Sequence, residues 1–439
     1  MRAIIMCGGK GTRIAAMEAS VPKPMIRLCG KPVLEHQLEW LKRQGIEEAV
    51  LVTGHLGHVI RDYFGDGSGI LADSGEASGI RLRYFEESEP LGTAGALYYF
   101  REDQTEDFLL MNGDLIVDVD LHRFLDAHRR YGGLATILTH PNSHPYDSGI
   151  VETDGHGLVT GWLSKEDERG WYQNRVNAGL HLMSPGIFDE LRERGMFLQP
   201  RKLDLDRDVL KPMIPGRRLF AYDSPEYVKD MGTPERYRLV EQDMNEGRVG
   251  ARNLSKPQKA VFLDRDGTIN EFRGLIRKTE DLVLLPGVGA AIRRLNESGY
   301  LVIVVTNQPV IARGEVTPEE LRMIHNRMET LLGRQGAYVD AIYYCPHHPH
   351  SGYAGEIAEL KKDCDCRKPK PGMLLAAADD YHIDLKESWM VGDSSRDIEA
   401  GRAAGCRSAG VGGCTGGDMI CADLTEFTDR LLGTEGSKQ

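Results

Sequence analysis

Short apolar runs alternate with amphipathic segments along the whole chain of 439 residues. The runs RAIIMC, EAVLVTG, DFLLMNGD, LATILTH, AVFLDRDG, YLVIVVTN and SWMVGDSS are rich in Val, Ile and Leu, which is typical of strands buried on both faces. Between the first two runs, the stretch PVLEHQLEWLKRQG places Val33, Leu34, Leu38 and Leu41 on one face of a helix. This alternation predicts an α/β fold with parallel, doubly wound sheets covered by helices on both sides.

The polar stretch NEGRVGARNLSKPQK divides the chain into two halves. It follows a helical pattern, TPERYRLVEQDMNEG, that ends in glycine, and a new apolar strand begins directly after it. A chain of this length is long for one hydrophobic core, so more than one domain is expected. We predict domains at residues 1–247 and 259–439, joined by a linker at 248–258.

Composition and charge exclude several classes of protein. The chain is 41% hydrophobic and 27% charged, with a formal net charge of -12, whereas a protein that binds a phosphate backbone needs a basic face. The chain contains no apolar run near the roughly 18 residues of a membrane span, and the first residues lack the cleavage site of a signal peptide. We expect a cytoplasmic protein that acts on small molecules, without nucleic-acid or membrane partners; a homo-oligomer is left open.

Glycines, cations and acids follow the strands of the first half. The turn GGKGTR, residues 8–13, can direct backbone N–H groups at an anion, but it matches neither a Walker loop nor G-x-G-x-x-G, and glycines alone would favour a plain turn. Arg13 and Lys23 add cations that suit a triphosphate. Asp114, at a strand end, and Asp230 make a two-carboxylate magnesium site plausible.

The motifs GGKGTR, VPKPM, GKP, LGTAGAL, NGD, NAG and KDMGTPERY occur in the order of the sugar-1-phosphate nucleotidyltransferases, which the first half resembles throughout. The resemblance implies a Rossmann-like domain in which a sugar 1-phosphate attacks the α-phosphorus of an NTP and pyrophosphate leaves. The residues that it implies are Gly8, Gly9, Gly11, Thr12 and Arg13 on the triphosphate, Lys23 as the neutralising cation, Asp114 and Asp230 on Mg²⁺, Gly92, Thr93 and Asp114 at the nucleotide, and Lys165, Asn177 and Gly179 at the sugar.

Two positions depart from this family. Met6-Cys7 replaces the usual Leu-Ala before the double glycine, and Ser164 stands where a Glu usually precedes Lys165. The first change borders base recognition and the second borders sugar recognition, so neither specificity follows from the resemblance.

The second half opens with paired acids at the end of a strand. Asp264 and Asp266 in VFLDRDGTIN are two apart, so both face the same side of an extended chain. Carboxylates this close repel unless a cation lies between them or they divide acid and base roles. A second strand ends with Thr306 and Asn307, whose side chains suit a phosphoryl oxygen. A third ends with Asp393, and Asp397 is a further candidate for a metal carboxylate.

This assembly resembles the haloacid dehalogenase-like phosphatases over the whole second half. The resemblance implies a doubly wound domain with a small zinc loop and no large cap. The roles that it implies are Asp264 as the nucleophile, Asp266 as the acid and base, Thr306, Asn307 and Lys368 around the phosphoryl group, Arg367 toward the substrate, and Mg²⁺ on the side chains of Asp264 and Asp393 and the backbone carbonyl of Asp266.

Two short motifs, Cys345-x-His347 and Cys364-x-Cys366, predict a zinc site. Three thiolates and an imidazole form a closed tetrahedral set with no position for water, which is typical of structural rather than catalytic zinc. His348 and His350 are rival fourth ligands. The remaining cysteines are assigned no metal: Cys7, Cys29, Cys406, Cys414 and Cys421.

The stretches TNQPVIARG, IYYCPHHP and CDCRKPKPGML resemble the D-glycero-D-manno-heptose 1,7-bisphosphate 7-phosphatases more than the histidinol phosphatases. Pro309-Val310 replaces the usual Ser-Gly, and Ser394 replaces a lysine, so anomer and sugar preference are open. A 7-phosphatase leaves heptose 1-phosphate, which is a substrate for a nucleotidyltransferase. We therefore expect a bifunctional enzyme that makes an NDP-heptose for glycan assembly, such as lipopolysaccharide or an S-layer glycan.

GTP is the favoured donor, because the first half most resembles the heptose 1-phosphate guanylyltransferases; CTP and ATP are open. One alternative is a mannose 1-phosphate guanylyltransferase fused to a histidinol-phosphate-like or other small phosphoester phosphatase. Another is a sensor, in which one half binds a nucleotide sugar without turnover and regulates the other half.

Overall fold

The computed structural model describes residues 1–8, 21–68 and 79–435, and it divides the chain into two compact units. The first unit contains Met1–Thr139, Val151–Trp162 and Asn177–Asn253. The second contains His140–Ile150, Leu163–Val176 and Leu254–Gln439. The segments His140–Ile150 and Leu163–Val176 thus belong to the second unit, although they precede residue 247. The domain ranges 1–247 and 259–439 remain a prediction from the sequence. In the described part of the chain, no helix has the length and apolar character to cross a membrane.

The first unit alternates strands and helices as the apolar pattern predicts. Its strands are β1 Arg2–Met6, β2 Arg27–Leu28, β3 Lys31–Pro32, β4 Glu48–Thr53, β5 Arg81–Glu86, β6 Phe108–Asn112, β7 Leu115–Asp118, β8 Ala135–His140, β9 Ile150–Thr153, β10 Val159–Leu163, β11 Val176–Met183, β12 Leu219–Asp223 and β13 Tyr227–Asp230. Its helices are α1 Val33–Arg43, α2 Gly57–Phe64, α3 Leu121–Tyr131, α4 Gly186–Glu193 and α5 Pro234–Asn245, with a π-helix at Leu205–Leu210.

The main sheet of the first unit has nine strands among the described residues, in the order β10-β9-β11-β6-β1-β4-β5, with β8 pairing β11 and β12. β1 lies in the middle, parallel to β4 and β6, and its alternating side chains enter two cores: Ala3 and Ile5 on one face, Ile4 on the other. The sheet is mixed rather than parallel throughout, because β11 runs antiparallel to β6 and β9. An antiparallel neighbour needs no helical crossover, and apolar runs do not reveal strand direction.

The second unit is the fully parallel α/β layer that the sequence predicts. Its strands are β14 Ala260–Leu263, β15 Leu301–Asn307, β16 Ala341–Cys345, β17 Trp389–Gly392, β18 Arg407–Gly410 and β19 Met419–Ile420, and its helices are α6 Val288–Glu297, α7 Pro318–Gly333, α8 Gly372–Tyr381, α9 Ser395–Ala404 and α10 Leu424–Glu435. The strand order is β16-β15-β14-β17-β18-β19. Val261 and Leu263 of β14 enter one core and Phe262 enters the other, so apolar layers cover both faces of the sheet.

Helix α7 forms hydrogen bonds with the segment Leu163–Val176 within the second unit. The Arg175 guanidinium donates to Glu329 Oε1 at 3.0 Å and to the backbone carbonyl of Asp340 at 2.8 Å. The side chains of Arg175 and Glu329 are only 5% and 4% exposed, so each buried charge depends on the other. The hydroxyl of Thr330 accepts a hydrogen bond from Tyr172 N at 3.0 Å.

We expect His181, which lies in the middle of β11 opposite Leu110, to make the first unit sensitive to acid. Burial lowers the pKa of His181 to about 4 from an ordinary value of 6.5. The folded unit therefore favours neutral imidazole, so its stability is complete above pH 6.5 and falls as the pH drops toward 4. We expect a loss of about 2 kcal/mol between pH 7.5 and pH 5 from this group. His181→Leu should remove that loss from urea unfolding curves.

The control for this prediction is the exposed His122, which lies on α3 of the same unit. His122→Leu should leave the wild-type dependence of unfolding on pH intact. Equal pH slopes for wild type and His181→Leu would show that His181 does not control acid stability.

Candidate functional sites

The polar side chains predicted for the second unit meet where three parallel strands end. β14 is flanked by β15 on one side and β17 on the other, so the order of the strands reverses at β14. Open α/β sheets bind ligands at such a switch point, outside the carboxyl ends of the strands. Asp264 follows β14, Asn307 ends β15 and Asp393 follows β17. These residues line one cavity of about 110 Å³.

Lys368 lies at the base of this cavity with its side chain only 2% exposed. Its Nζ is 2.9 Å from Asp264 Oδ1 and 2.6 Å from Asp397 Oδ1. Burial alone lowers the pKa of a lysine, but the two carboxylates outweigh burial and leave the pKa of Lys368 above its usual value. The lysine is therefore a permanent cation, fixed beside the predicted nucleophile.

Asp264, Asp393 and Asp397 form a carboxylate cluster whose oxygens lie within 4.8 Å of one another. Burial raises the pKa of Asp264 to about 7, against the opposing effect of Lys368, and burial followed by the charge of Asp397 raises the pKa of Asp393. One lysine does not neutralise this cluster. A divalent cation with oxygen ligands fits the donor set.

Gly267 allows the carboxylate of Asp393 to approach the Asp266–Gly267 backbone. A Cβ on Gly267 would lie 2.0 Å from Asp393 Oδ2, and the residue has φ +84°. Only glycine accommodates both constraints. The geometry fits the expectation that the backbone carbonyl of Asp266 shares a cation with Asp264 and Asp393.

Asp397 has a role that the sequence left open. Its Oδ2 accepts hydrogen bonds from the backbone N and the hydroxyl of Ser394, at 3.1 and 2.7 Å, and so caps α9. Its Oδ1 holds Lys368. The carboxylate of Asp397 thus connects the start of α9 to Lys368. This contact positions Lys368 and does not depend on a metal.

The side chains that hold Asp266 are not evident from the sequence. Arg265, fully buried, donates from Nη2 to Asp266 Oδ2 at 2.8 Å. Gln308 Nε2 donates to the same oxygen at 3.1 Å, and Asn270 Nδ2 donates to Oδ1 at 3.0 Å. Burial, with the charge of Arg265, lowers the pKa of His325 well below 6.5, so a neutral His325 can lie 3.3 Å from Arg265 Nη1.

Thr306 and Asn307 take different places in the site. Thr306 is 1% exposed, lines the cavity and accepts a hydrogen bond from Gln308 Nε2 at 2.9 Å. Asn307 exchanges two hydrogen bonds of 3.0 Å with the backbone N and O of Lys368. Its amide therefore fixes the backbone that carries the lysine.

The four residues predicted to bind zinc converge at the end of β16. Distances of 3.3 to 3.7 Å join their atoms: Cys345 Sγ to Cys364 Sγ 3.5 Å, Cys345 Sγ to Cys366 Sγ 3.3 Å, Cys364 Sγ to Cys366 Sγ 3.3 Å, His347 Nδ1 to Cys366 Sγ 3.3 Å and His347 Nδ1 to Cys345 Sγ 3.7 Å. Ligands about 2.0–2.3 Å from a tetrahedral Zn²⁺ have separations of this size. The donor set and its geometry fit zinc.

His348, a rival ligand in the sequence analysis, is engaged elsewhere. Its Nε2 lies 3.2 Å from Arg313 Nη2, and its Nδ1 donates to the backbone carbonyl of His350 at 3.0 Å. His347 Nδ1 is the imidazole atom that joins the thiols.

In the first unit, the central strand β1 leads into the predicted triphosphate turn. Gly9, Gly11, Thr12 and Arg13 lie outside the described residues; Gly8 is described. A Cβ on Gly8 would lie 2.7 Å from Glu87 Oε2, so the backbone passes close to this carboxylate. Glu87, which the sequence analysis did not select, also accepts a hydrogen bond from Leu91 N at 3.2 Å.

Lys23, Asp114 and Asp230 come together beside β6 and β13. Lys23 Nζ forms an ion pair with Asp114 Oδ2. The backbone carbonyl of Asp114, in the turn before β7, accepts from Met231 N at 3.0 Å. Asp114 therefore lies next to the end of β13, the strand that pairs with β7 and ends at Asp230. Asp230 is held by Arg236 Nη1 at 2.7 and 2.9 Å, and Arg236 with Gly232 and Lys23 overcomes burial to lower the pKa of Asp230.

One segment connects the predicted nucleotide and sugar residues. Gly92 bridges to Leu203, and Thr93 Oγ1 accepts from Leu205 N at 2.7 Å. The next residue after Leu205 is Asp206, whose Oδ1 accepts a hydrogen bond from Asn177 Nδ2 of β11 at 3.3 Å. Asp206 lies in the π-helix, a form frequent at functional sites, and burial, then the charge of Asp204, raises the pKa of Asp206 to about 6.

Two predicted sugar residues are in different settings. Gly179, with φ +77°, lies against Asn112, whose Nδ2 would be 2.7 Å from a Cβ on that glycine. Lys165 belongs to a segment of the second unit, and its side chain is 64% exposed and 3.7 Å from Glu166 Oε1.

Comparisons with known proteins match both halves. The family model described as Nucleotidyl transferase matches residues 2–247, and the model described as HAD-hydrolase-like matches residues 365–421. The D-glycero-beta-D-manno-heptose-1,7-bisphosphate 7-phosphatase of Salmonella typhi is 44% identical over 151 residues, which are 34% of this chain and 78% of that protein.

Two solved structures are also similar to parts of the chain. One is the D,D-heptose 1.7-bisphosphate phosphatase from B. bronchiseptica complexed with magnesium and phosphate, at 35% identity and a TM-score of 0.36, covering 40% of this chain and 99% of the other. The other is HddC from Yersinia pseudotuberculosis, at 22% identity and a TM-score of 0.46, covering 55% of this chain and 99% of the other.

Proposed function

Because the chain belongs to the nucleotidyl transferase family through residues 2–247 and also to the D-glycero-beta-D-manno-heptose-1,7-bisphosphate 7-phosphatases, we propose that it catalyses two consecutive reactions of NDP-heptose biosynthesis. The first removes the 7-phosphate of D-glycero-D-manno-heptose 1,7-bisphosphate. The second transfers a nucleotidyl group to the heptose 1-phosphate that remains. Phosphoester hydrolysis supplies the substrate of nucleotidyl transfer, so the two activities form a sequence.

The observation that carries the phosphatase reaction is the buried pair of Lys368 and Asp264 at the base of the cavity. Lys368 contacts Asp264 Oδ1, as does the backbone N of Arg265 at 2.7 Å, and these contacts orient the carboxylate. In this proposal Asp264 attacks phosphorus and the bond from phosphorus to the sugar oxygen breaks, giving an aspartyl phosphate. Lys368 offsets the negative charge of the transferring group.

Asp266 supplies the proton transfers in both steps. It gives a proton to the departing sugar oxygen, and it later takes a proton from the water that attacks the aspartyl phosphate, so that phosphate leaves and Asp264 is restored. Arg265, Asn270 and Gln308 fix the direction of its carboxylate. A fixed donor direction lowers the cost of alignment at each transfer.

Metal ions complete the proposal. Mg²⁺ on Asp264, Asp393 and the carbonyl of Asp266 would supply charge neutralisation for the phosphoryl group. Zinc on Cys345, His347, Cys364 and Cys366 would be structural, since all four ligands come from the protein. Cysteines kept reduced for zinc binding suit the reducing cytoplasm, where we place both reactions.

The transferase reaction is supported by the family of the first half and by the cluster of Lys23, Asp114 and Asp230. Two carboxylates at neighbouring strand ends suit a Mg²⁺ that also binds the triphosphate, and Lys23 suits the charge that develops at the α-phosphorus. GTP is the proposed donor, on the sequence resemblance to heptose 1-phosphate guanylyltransferases. CTP and ATP are alternatives that an assay separates.

Phosphorus NMR of the first reaction tests the site of hydrolysis. Heptose 1,7-bisphosphate incubated with enzyme and Mg²⁺ should give inorganic phosphate and retain the anomeric phosphate signal. Loss of the anomeric phosphate, with the 7-phosphate retained, would contradict the proposal, because the product could not then enter nucleotidyl transfer. Ready-made heptose 1-phosphate with each NTP should release pyrophosphate, fastest with GTP.

A further inference from the structure

Three cationic side chains line the cavity of the second unit: Arg367, Lys368 and Arg396. Lys368, at its base, is matched by the carboxylates of Asp264 and Asp397. Arg367 and Arg396 also line the cavity. Arg367 is partly buried and Arg396 is exposed, so the positive charge continues from the base of the cavity to its mouth.

Neither arginine has a carboxylate within ion-pair distance in the part of the chain that the structure describes. Arg367 Nη1 donates to the backbone carbonyl of His347 at 3.1 Å, which fixes the guanidinium to the zinc loop. Two guanidinium groups that line one cavity suit a shared anion, and phosphate matches their planar donors.

The same cavity has an apolar side. Phe272, Leu275 and Pro309 line it, and Phe272 is 70% exposed although it is a large hydrophobic residue. Exposed aromatic surface at a ligand cavity is suited to the apolar face of a sugar ring. The cavity thus combines three features: the reacting carboxylate of Asp264 beside Lys368, an apolar surface, and a second group of cations formed by Arg367 and Arg396.

We propose that Arg396, together with Arg367, binds the second phosphate of a bisphosphorylated sugar while the first phosphate reacts at Asp264. Arg396 is then a specificity-determining residue that separates bisphosphates from monophosphates. This inference rests on the proposed phosphatase function and adds the residue that recognises the non-reacting phosphate. Arg396 lies in the first turn of α9, directly before Asp397, whose side chain caps this helix and pairs with Lys368. The backbone of Arg396 is therefore held close to the bottom of the cavity.

The test compares kcat/KM for heptose 1,7-bisphosphate with kcat/KM for heptose 7-phosphate. Arg396→Ala should lower the ratio of kcat/KM for the bisphosphate to kcat/KM for the monophosphate by about 10- to 100-fold, which is the contribution of charge-assisted hydrogen bonds to one phosphate. Most of this change should be a higher KM for the bisphosphate. Arg396→Lys should restore part of the ratio, because it keeps the charge without the planar donors. Arg402→Ala changes an exposed arginine of the same helix that does not line the cavity, and it should leave the ratio at the wild-type value.

Fructose 1,6-bisphosphate and fructose 6-phosphate form a second substrate pair that separates this inference from the proposed function. A loss of bisphosphate preference in the fructose pair, with no heptose turnover by wild type, would support Arg396 and contradict the heptose assignment. An unchanged ratio in Arg396→Ala for every pair that wild type hydrolyses would overturn the inference. So would a wild-type enzyme without preference for either bisphosphate.

Discussion

Asp264→Asn should lower the rate of phosphate release from heptose 1,7-bisphosphate by at least about 1,000-fold, because the amide cannot form the covalent phosphoenzyme. The substitution keeps the shape of the side chain, and Asp397 remains to pair with Lys368. The variant should therefore fold. Its release of pyrophosphate from ready-made heptose 1-phosphate and GTP should match that of wild type, since Lys23, Asp114 and Asp230, the cluster proposed for the transferase reaction, lie in the other unit.

The matched control is Asp379→Asn, at an exposed position on α8 of the same unit. It removes the same charge and should leave both rates unchanged. Loss of both activities in Asp264→Asn, with an unchanged melting profile, would contradict two independent sites. Retention of phosphate release would contradict the nucleophile.

Cys364→Ser should remove about one equivalent of zinc per chain and destabilise the second unit. Structural zinc contributes folding free energy directly, on the order of 10 kcal/mol in small zinc peptides, so a fall in melting temperature of roughly 10 °C or more is expected. Phosphate release should fall as well, because Cys366 precedes Arg367 and Lys368 directly. Elemental analysis, thermal melting and phosphate release measure these three effects.

Cys414→Ser provides the comparison, because Cys414 is a free cysteine of the same unit outside the four-residue cluster. It should retain zinc and the wild-type melting temperature. A Cys364→Ser protein with full zinc content, or with an unchanged melting profile, would show that the cluster is not a structural zinc site.

The sequence predicted the strands and the residues at their ends because apolar runs mark buried strands, and parallel strands bring their ends together. Asp264, Asn307 and Asp393 follow that rule, and the structure places them around one cavity. The zinc residues were predictable for another reason: two closely spaced ligand pairs restrict the geometry before the fold is known.

The remaining features depend on three-dimensional packing. Arg265 looks like a solvent-facing residue between two acids, yet it is fully buried against Asp266. Arg396 looks like a surface charge of a helix, and only the cavity reveals its neighbours. The antiparallel direction of β11 and the membership of residues 163–176 in the second unit also arise from long-range pairing, which local periodicity does not encode.

If one chain performs two consecutive reactions, both products should form in a single reaction mixture. Purified enzyme, Mg²⁺ and heptose 1,7-bisphosphate are incubated with GTP, CTP or ATP in parallel, and phosphate and pyrophosphate are measured separately over time. We expect phosphate to appear with every nucleotide and pyrophosphate to follow after a lag, with GTP as the best donor. Phosphate release without pyrophosphate in all three mixtures would show that the chain does not perform the second reaction.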